Sequence, residues 1–493
     1  MGYGWTHNYY SDVQEHSAVK AGLGQATPYE MAANLLATFV TFDLQSSQAT
    51  AKNWASTAFV TKWGIDQLIN NAVTITLGQN RIQFIRQPDG SYQAPVNSTM
   101  SLSKEGQAYT LKERHGNTYT FNSAKKLASI IDLYGLTQTF TYHQDGRLNT
   151  VSDAYGRSLS FQYAQHKDSH QLTEVLDSTG RKISFSYDGN GDLITTTDVE
   201  GKNHHFAYND EHCITELKDP LNRTIVENTY DSLGRVIHQK SQGQEDKTWN
   251  FYYSGFCNIQ EDPEGGRSCY FYDEKGRLIE TEDALGNRTT ATYDGQNHII
   301  ETKTAKGEST TYTFDKDHNP LSTTDPLNKS TAQVYDTQHR LIRATDKRGG
   351  ISSYTYNDQH QILTATDPEG HTSTYSYDAR GNLASLSDPE GNLTRYSYNN
   401  RDELVSITHP DNTTESFSYD DLGNVTSTTD ANGNLTTTTY NKRREPLTVT
   451  QPGNITTSYS YDDADNLASS TDAEGNTTRY SAQANKATMP MVK

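Results

Sequence analysis

The feature that most restricts how this chain can fold is a period. From Tyr272 an aromatic residue recurs every 21 residues, at Tyr272, Tyr293, Phe314, Tyr335, Tyr356, Tyr377, Tyr398, Tyr419, Tyr440 and Tyr461. The residue after each of them is Asp or Asn. Fourteen residues after the aromatic stands Gly or Asn, at Gly286, Gly307, Asn328, Gly349, Gly370, Gly391, Asn412, Gly433, Asn454 and Gly475. Both types enter φ > 0 at low cost, so each unit contains a left-handed turn at that point. A looser set four residues after the aromatic includes Gly276, Asn297, His318, His339, His360 and Asp402, and all its members except Arg444 are types enriched at positive φ.

Two turns in each unit leave two stretches of about six residues, which is strand length, so the unit reads as a β-hairpin. Its second strand alternates, as in Thr394-Arg395-Tyr396-Ser397-Tyr398, with Tyr on one face and small or charged residues on the other. Its first strand offers an aliphatic near the start, such as Leu278, Leu341, Leu383 or Leu467. Equivalent residues of adjacent units lie two strands, or roughly 10 Å, apart, so an aliphatic fits between successive tyrosines. No lone hairpin buries such a stripe, which is why units of this kind come in arrays.

The run Tyr377-Asp378-Ala379-Arg380-Gly381-Asn382-Leu383, followed by Asp388-Pro389-Glu390-Gly391-Asn392, resembles the YD repeat of Rhs proteins. The opening Gly2-Tyr3-Gly4-Trp5-Thr6-His7-Asn8-Tyr9 is similar to the segment that begins the shell region of that family. The resemblance implies consecutive hairpins that spiral into a hollow shell. In that family the shell commonly encloses a C-terminal toxin or forms part of a secreted or cell-surface protein. The expected fold is therefore mainly β, a long array of hairpins forming a spiralling open or partly closed shell, with a small helical hairpin near the N-terminus.

The helical expectation rests on a change of period. Thr27-Pro28-Tyr29-Glu30 is a capping box with Pro at the first helical position, followed by Met31, Leu35, Phe39 and Phe42 at helical spacing. A second stretch, residues 48–71, places Trp54, Phe59, Trp63 and Leu68 on or near one face. The pair reads as a hairpin packed on the sheet, or as a plug over one end of the shell. Val73–Leu77 and Arg81–Ile85 alternate about a Gly78-Gln79-Asn80 turn and begin the β region. The expected divisions are an entry segment at 1–26, the helical hairpin at 27–72, leading β-hairpins at 73–120, irregular repeats at 121–271, regular repeats at 272–480 and an irregular tail at 481–493. The extra residues His166–Gln171 and Gly243–Lys247 are expected to lengthen loops or add bulges.

A net charge of −19 disfavours nucleic acid as a partner, because phosphate contacts need Lys and Arg. Cys213, Cys257 and Cys269 are too few for a disulfide framework, although Cys257 and Cys269 flank the turn at Asp262-Pro263-Glu264-Gly265 and could face each other. The sequence contains no apolar run long enough to span a membrane and no signal-peptide pattern at its start, although Met1–Thr6 fits a loose myristoylation pattern. The expected location is secreted or cell-surface for the parent protein and cytoplasmic before export.

Candidate chemistry reduces to turns. His318, His339 and His360 share one turn position and, at about 10 Å spacing, are too far apart to ligate one zinc. Asp188-Gly189-Asn190-Gly191-Asp192 opens like a calcium loop but has Leu193 where Gly is required and Val199 where the bidentate Glu belongs. Asn287, Asn392, Asn434 and Asn476 sit in Asn-x-Thr sequons at one repeat register, where turn chemistry accounts for them. With no nucleophile elbow, phosphate loop or zinc-protease signature, the expectation is a non-enzymatic chain with neither metal nor cofactor.

The preferred function is a shell or scaffold that encapsulates or presents an effector, with an effector domain or a secretion-system component as partner. The alternative is a cell-surface adhesion protein whose exposed tyrosines stack on glycans. The repeat register breaks at Ala482, and the Asp-Pro pairs, including Asp219-Pro220 and Asp325-Pro326, sit in repeat turns and not in the Asp-Pro-x-Gly-Leu cleavage sequence of toxin-releasing relatives. Both points lead to the expectation of an incomplete shell.

Overall fold

The computed structural model describes residues 7–15, 71–167, 169–241 and 247–480. The helical hairpin expected over 27–72 lies outside these residues except for its last two, of which Ala72 opens a strand. The tail expected over 481–493 also lies outside them.

Two sheets result. Ser11–Glu15, Ala72–Leu77, Asn80–Arg86 and Tyr92–Gln93 form a small antiparallel sheet in that order. All later strands, from Ser101–Glu105 to Thr477–Arg479, form one ribbon in which each strand pairs antiparallel with the next in sequence. The first strand of the ribbon is paired by Ala108–Lys112 and the last by Leu467–Thr471, and no ladder joins the two, so the sheet is open. The ribbon begins at Ser101, well before the first recognisable repeat aromatic at Phe121.

Each unit repeats one local design. The aromatic closes the second strand at a register shift, as between Ser376 and Tyr377, so that Tyr377 faces Leu383 of the next strand. A bulge of this kind bends the strand and re-aims its side chain. In six units the tyrosine hydroxyl then donates to the carbonyl of the first residue of its own hairpin's leading strand: Tyr293 to Leu278, Tyr356 to Leu341, Tyr377 to Ile362, Tyr419 to Leu404, Tyr440 to Val425 and Tyr461 to Pro446, at 2.6–3.0 Å. Phe314 has no hydroxyl, and His298 stacks on its ring at 4.3 Å.

The Asp or Asn after the aromatic makes the turn. Asp378 donates its backbone N–H to the Asn382 carbonyl, accepts the Gly381 N–H at its own carbonyl, and takes the N–H groups of Arg380 and Asn382 on Oδ1. The second turn repeats the scheme, with Asp388 accepting the N–H and the side-chain amide of Asn392. These are three-residue hairpin connections, which need a left-handed residue to close. That residue is Gly381 at φ 89° and Gly391 at φ 85°. Arg444 also adopts φ 72°, held by bonds from its guanidinium to Asn424 and the Leu422 carbonyl.

Of the extra residues expected in the irregular units, Gly243–Lys247 lie outside the described residues except for Lys247. Those around His166–Gln171 extend two strands, Ser158–His166 and Ser169–Asp177, whose pairing carries a bulge between Gln162 and Tyr163 in place of a longer loop. Leu172 is buried there, and Gln171 donates to the Gly191 carbonyl at 2.9 Å, which fixes the extension to the neighbouring turn. The apolar core lies at this end of the ribbon. Val13, Val73, Ile75 and Phe84 of the small sheet cluster with Tyr109, Leu111, Phe121, Leu127, Phe140 and Phe161, covering the aromatic face of the first hairpins.

Candidate functional site

Because strands alternate in direction, the turns that follow the aromatics (near turns, such as Asp378–Gly381) lie along one rim of the ribbon, and the others (far turns, such as Asp388–Gly391) lie along the opposite rim. The near rim carries a rail of bonds between successive units. Its members include His298 to His318 at 2.8 Å, Asn319 to His339 at 3.1 Å, Gln361 to the Gly381 carbonyl at 2.7 Å and Asn382 to Asp402 at 2.8 Å. Of the histidines singled out from the sequence, His318 and His339 are turn residues tied into this rail, whereas His360 closes its turn with its Nδ1 buried and without a hydrogen-bond partner. His298, outside their shared register, is the one that reaches His318.

The rims also meet each other. Far turns of the early hairpins touch near turns of the late ones along a seam. Arg114 donates to Asn319 and to the Asp317 carbonyl, and His115 lies 2.7 Å from the Gln338 carbonyl and 4.9 Å, ring to ring, from His360. Burial, then His115, holds the His360 pKa below its ordinary value. Tyr134 sits directly over Gly381, where a Cβ would fall 2.5 Å from its ring. Tyr155 donates to Asp402, and burial, then this bond, pushes its phenol up to about 12. Further along, Arg181 reaches the Lys442 carbonyl and Glu200 accepts the Lys442 N–H. Arg443 pairs with Asp198 and with Asp465, and Lys202 lies 2.5 Å from Asp463.

From the turn holding Tyr134 to the turn holding Gly381 the ribbon runs through twenty-three strands. At about 4.8 Å per strand that is a girth of roughly 110 Å, or about 35 Å across for a circular section. The ribbon thus coils upon itself, and side chains and turn backbone, with no strand ladder, join one coil to the next. A cavity of about 430 Å³ beside the seam is lined by Asp315, Asp317, Tyr335, Asp336 and His339.

The other residues singled out from the sequence fall into ordinary places. Gly286, Gly307, Gly349, Gly370, Gly433 and Gly475 close far turns at φ 79–88°. Asp188–Asp192 is a near turn, with Gly191 left-handed. Cys257 lies opposite Phe271 and Cys269 opposite Ile259, so the two are offset by two residues and do not face each other. All three cysteines are free. Among the described residues no group of three or more His, Cys, Asp or Glu is placed to hold a metal, and no helix is long and apolar enough to cross a membrane. The seam was not legible beforehand, because its partners lie more than 200 residues apart and nothing in the period marks which turns will meet.

Comparison with known proteins gives two family matches. The RHS Repeat family matches in overlapping segments from 272–309 to 377–414, then at 419–456 and 445–477. The Teneurin YD-shell family matches residues 99–263. No curated protein matches. Among solved structures the chain is similar to the TcdB2–TccC3 complex without its hypervariable C-terminal region, at 13% identity and TM-score 0.49 over 86% of this chain and 28% of that one. It is also similar to the TcdB2–TccC3–Cdc42 structure, at 14% identity and TM-score 0.47 over 81% and 25%. A third is a Photorhabdus luminescens Tc holotoxin pore, at 13% identity and TM-score 0.40 over 83% and 27%. The chain spans about a quarter of the length of these solved chains.

Proposed function

The chain belongs to the Rhs/YD-repeat family, and from that membership we propose that it is a non-enzymatic wall segment of a toxin-type shell, enclosing or presenting an effector. The observation that carries this reading is the seam: far turns seat on near turns one coil later, so the ribbon becomes a wall around a space and not a flat sheet. Subtracting side chains from a section about 35 Å across leaves a lumen of roughly 25 Å, wide enough for an extended or partly folded polypeptide. Wall building also explains why so much of the chain is turn and ladder chemistry repeated without variation. The parent protein is then secreted or displayed at a cell surface, with the effector as partner.

The adhesion reading needs tyrosines free to stack on sugar rings. In this fold the repeat tyrosines are half-buried and six of them turn their hydroxyls onto backbone carbonyls, which favours a wall. A small reporter polypeptide fused after Lys493 tests the proposal through digestion with a broad-specificity protease. Slower loss of the reporter than of the same reporter free in solution, restored to the free rate when Arg443→Ala and Tyr155→Phe weaken the seam, is the expected result. Equal digestion in all three would contradict enclosure.

A further inference from the structure

A near turn closes on a left-handed residue, as at Gly276, Gly381 and Gly423. Three consecutive near turns close on histidine instead: Asp315–His318, Asp336–His339 and Asn357–His360, at φ 68°, 62° and 63°. One far turn, Glu113–Gly116, seats on all three. Arg114 donates to Asn319 at 3.0 Å and to the Asp317 carbonyl at the first. His115 lies 2.7 Å from the Gln338 carbonyl at the second, and its ring lies 4.9 Å from that of His360 at the third. The other seam contacts described above use different groups: Tyr134 over Gly381, Tyr155 on Asp402, Arg443 on Asp198 and Lys202 beside Asp463. Imidazole is thus gathered at one place on the seam.

His360 is the member whose charge this contact does not accommodate. Its Nδ1 is buried without a hydrogen-bond partner, and a protonated ring carries N–H on both nitrogens, so the closed contact would bury an N–H with no acceptor. Cations surround it. His115, Arg340 and Lys112 act against its protonation, and Arg114 shares the far turn with His115. Asp336 acts in favour, but its carboxylate already accepts from the Arg340 guanidinium and from the N–H groups of Gln338 and Arg340. Glu113 is committed to Asn117 and Tyr119, and Asp358, on the same turn as His360, is exposed.

We propose that this part of the seam is a pH-sensitive latch between coils, closed while His360 is neutral and released from the far turn Glu113–Gly116 when His360 is protonated. Opening the contact hydrates Nδ1 and separates the ring from His115, so the open form takes up the proton more readily than the closed one. A histidine whose protonation the closed form disfavours contributes fully to closure above its ordinary pKa of 6.5, and that contribution is lost as pH falls below 6.5. The contacts made by Tyr134, Arg443 and Lys202 contain no imidazole and stay closed over the same range. Release is therefore confined to one far turn and the three near turns beneath it. The latch acts on the contact between coils, whatever the enclosed space holds.

Hydrogen exchange of the full chain at intervals from pH 7.5 to 5.5, corrected for the intrinsic rate at each pH, tests this. Protection at residues 113–117 and 357–361 should fall below pH 6.5, by at most about tenfold per pH unit, the limit for one proton. Residues 132–136, held by the contact of Tyr134 with Gly381, should keep theirs. In His360→Asn the fall should vanish, with protection at pH 5.5 equal to that at pH 7.5. Asn297 closes the corresponding turn at φ 64°, so the substitution keeps the turn and removes the titrating ring. Constant protection in the parent, a fall that residues 132–136 share, or an unchanged fall in the variant would each overturn the latch. The first two outcomes need only the parent chain, so they decide the matter even for a variant that does not fold.

Discussion

Gly381 and Gly391 are ten residues apart in one unit, with φ of 89° and 85°, and they differ in what lies above them. A Cβ at Gly391 meets nothing within 4 Å, whereas at Gly381 it meets the Tyr134 ring at 2.5 Å. Gly391→Ala should therefore cost only backbone strain, about 1–2 kcal/mol. Gly391→Asn should cost less, since Asn328, Asn412 and Asn454 already adopt this conformation. Gly381→Ala adds a steric penalty of roughly 1–3 kcal/mol unless Tyr134 lifts off the seam. Hydrogen exchange separates the two: Gly381→Ala should deprotect residues 132–136 as well as its own turn, and Gly391→Ala only its own turn. Equal, purely local effects would mean that the coils do not touch there. The strain at both positions was legible in the sequence, because only a few residue types accept φ > 0. What distinguishes the two glycines was not, since Tyr134 comes from a hairpin 247 residues earlier.

At the scale of the element, the hairpin owes its register to turns wound around one carboxylate. At Asp283, Asp430 and Asp472 the side-chain amide of the Asn four residues on, then its backbone N–H, hold the carboxyl below its usual range. A carboxyl depressed by folding contributes stability above its unfolded pKa of about 3.9 and loses it as pH falls through the folded value. The turns should thus be indifferent to pH above about 5 and weaken together below about 4. Glu15, which joins the small sheet to the ribbon, is a sharper case. Lys104, then Lys125 and Tyr109, lower it from 4.5 to about 2. Its contribution should be complete above pH 4.5 and lost as pH falls toward about 2. Exchange at residues 11–15 should follow this course, and Glu15→Gln should remove the dependence. Unchanged pH dependence in the variant would exclude Glu15 as the attachment. The hairpin, its two turns and the repeat aromatics could be read directly from spacing. The hydroxyl bonds back to the hairpin's leading strand could not, because the pattern marks an aromatic without saying where its polar end goes. The attachment of Ser11–Glu15 beside Ala72–Leu77 was equally hidden, as it carries no period at all.

At the scale of the whole molecule, local repetition produces a coil because every unit adds the same bend. A chain with a net charge of −19 then holds its coils together by placing cations opposite acids, as Arg443 is placed on Asp198 of the other coil. A flat or irregular ribbon would have the same hairpins, turns and circular dichroism, so only contacts between distant turns establish the wall. Lys202 and Asp463 lie 2.5 Å apart and both are partly exposed, which suits them to zero-length carbodiimide coupling without any mutation. The measurement is mass spectrometry of the monomeric fraction after coupling in dilute solution. The local pair Lys182 and Glu174, at 2.7 Å within one hairpin pair, serves as the control. The coiled wall predicts an amide between Lys202 and Asp463 alongside the control amide. The control amide alone, with no product joining residues 198–202 to 462–465, would contradict it.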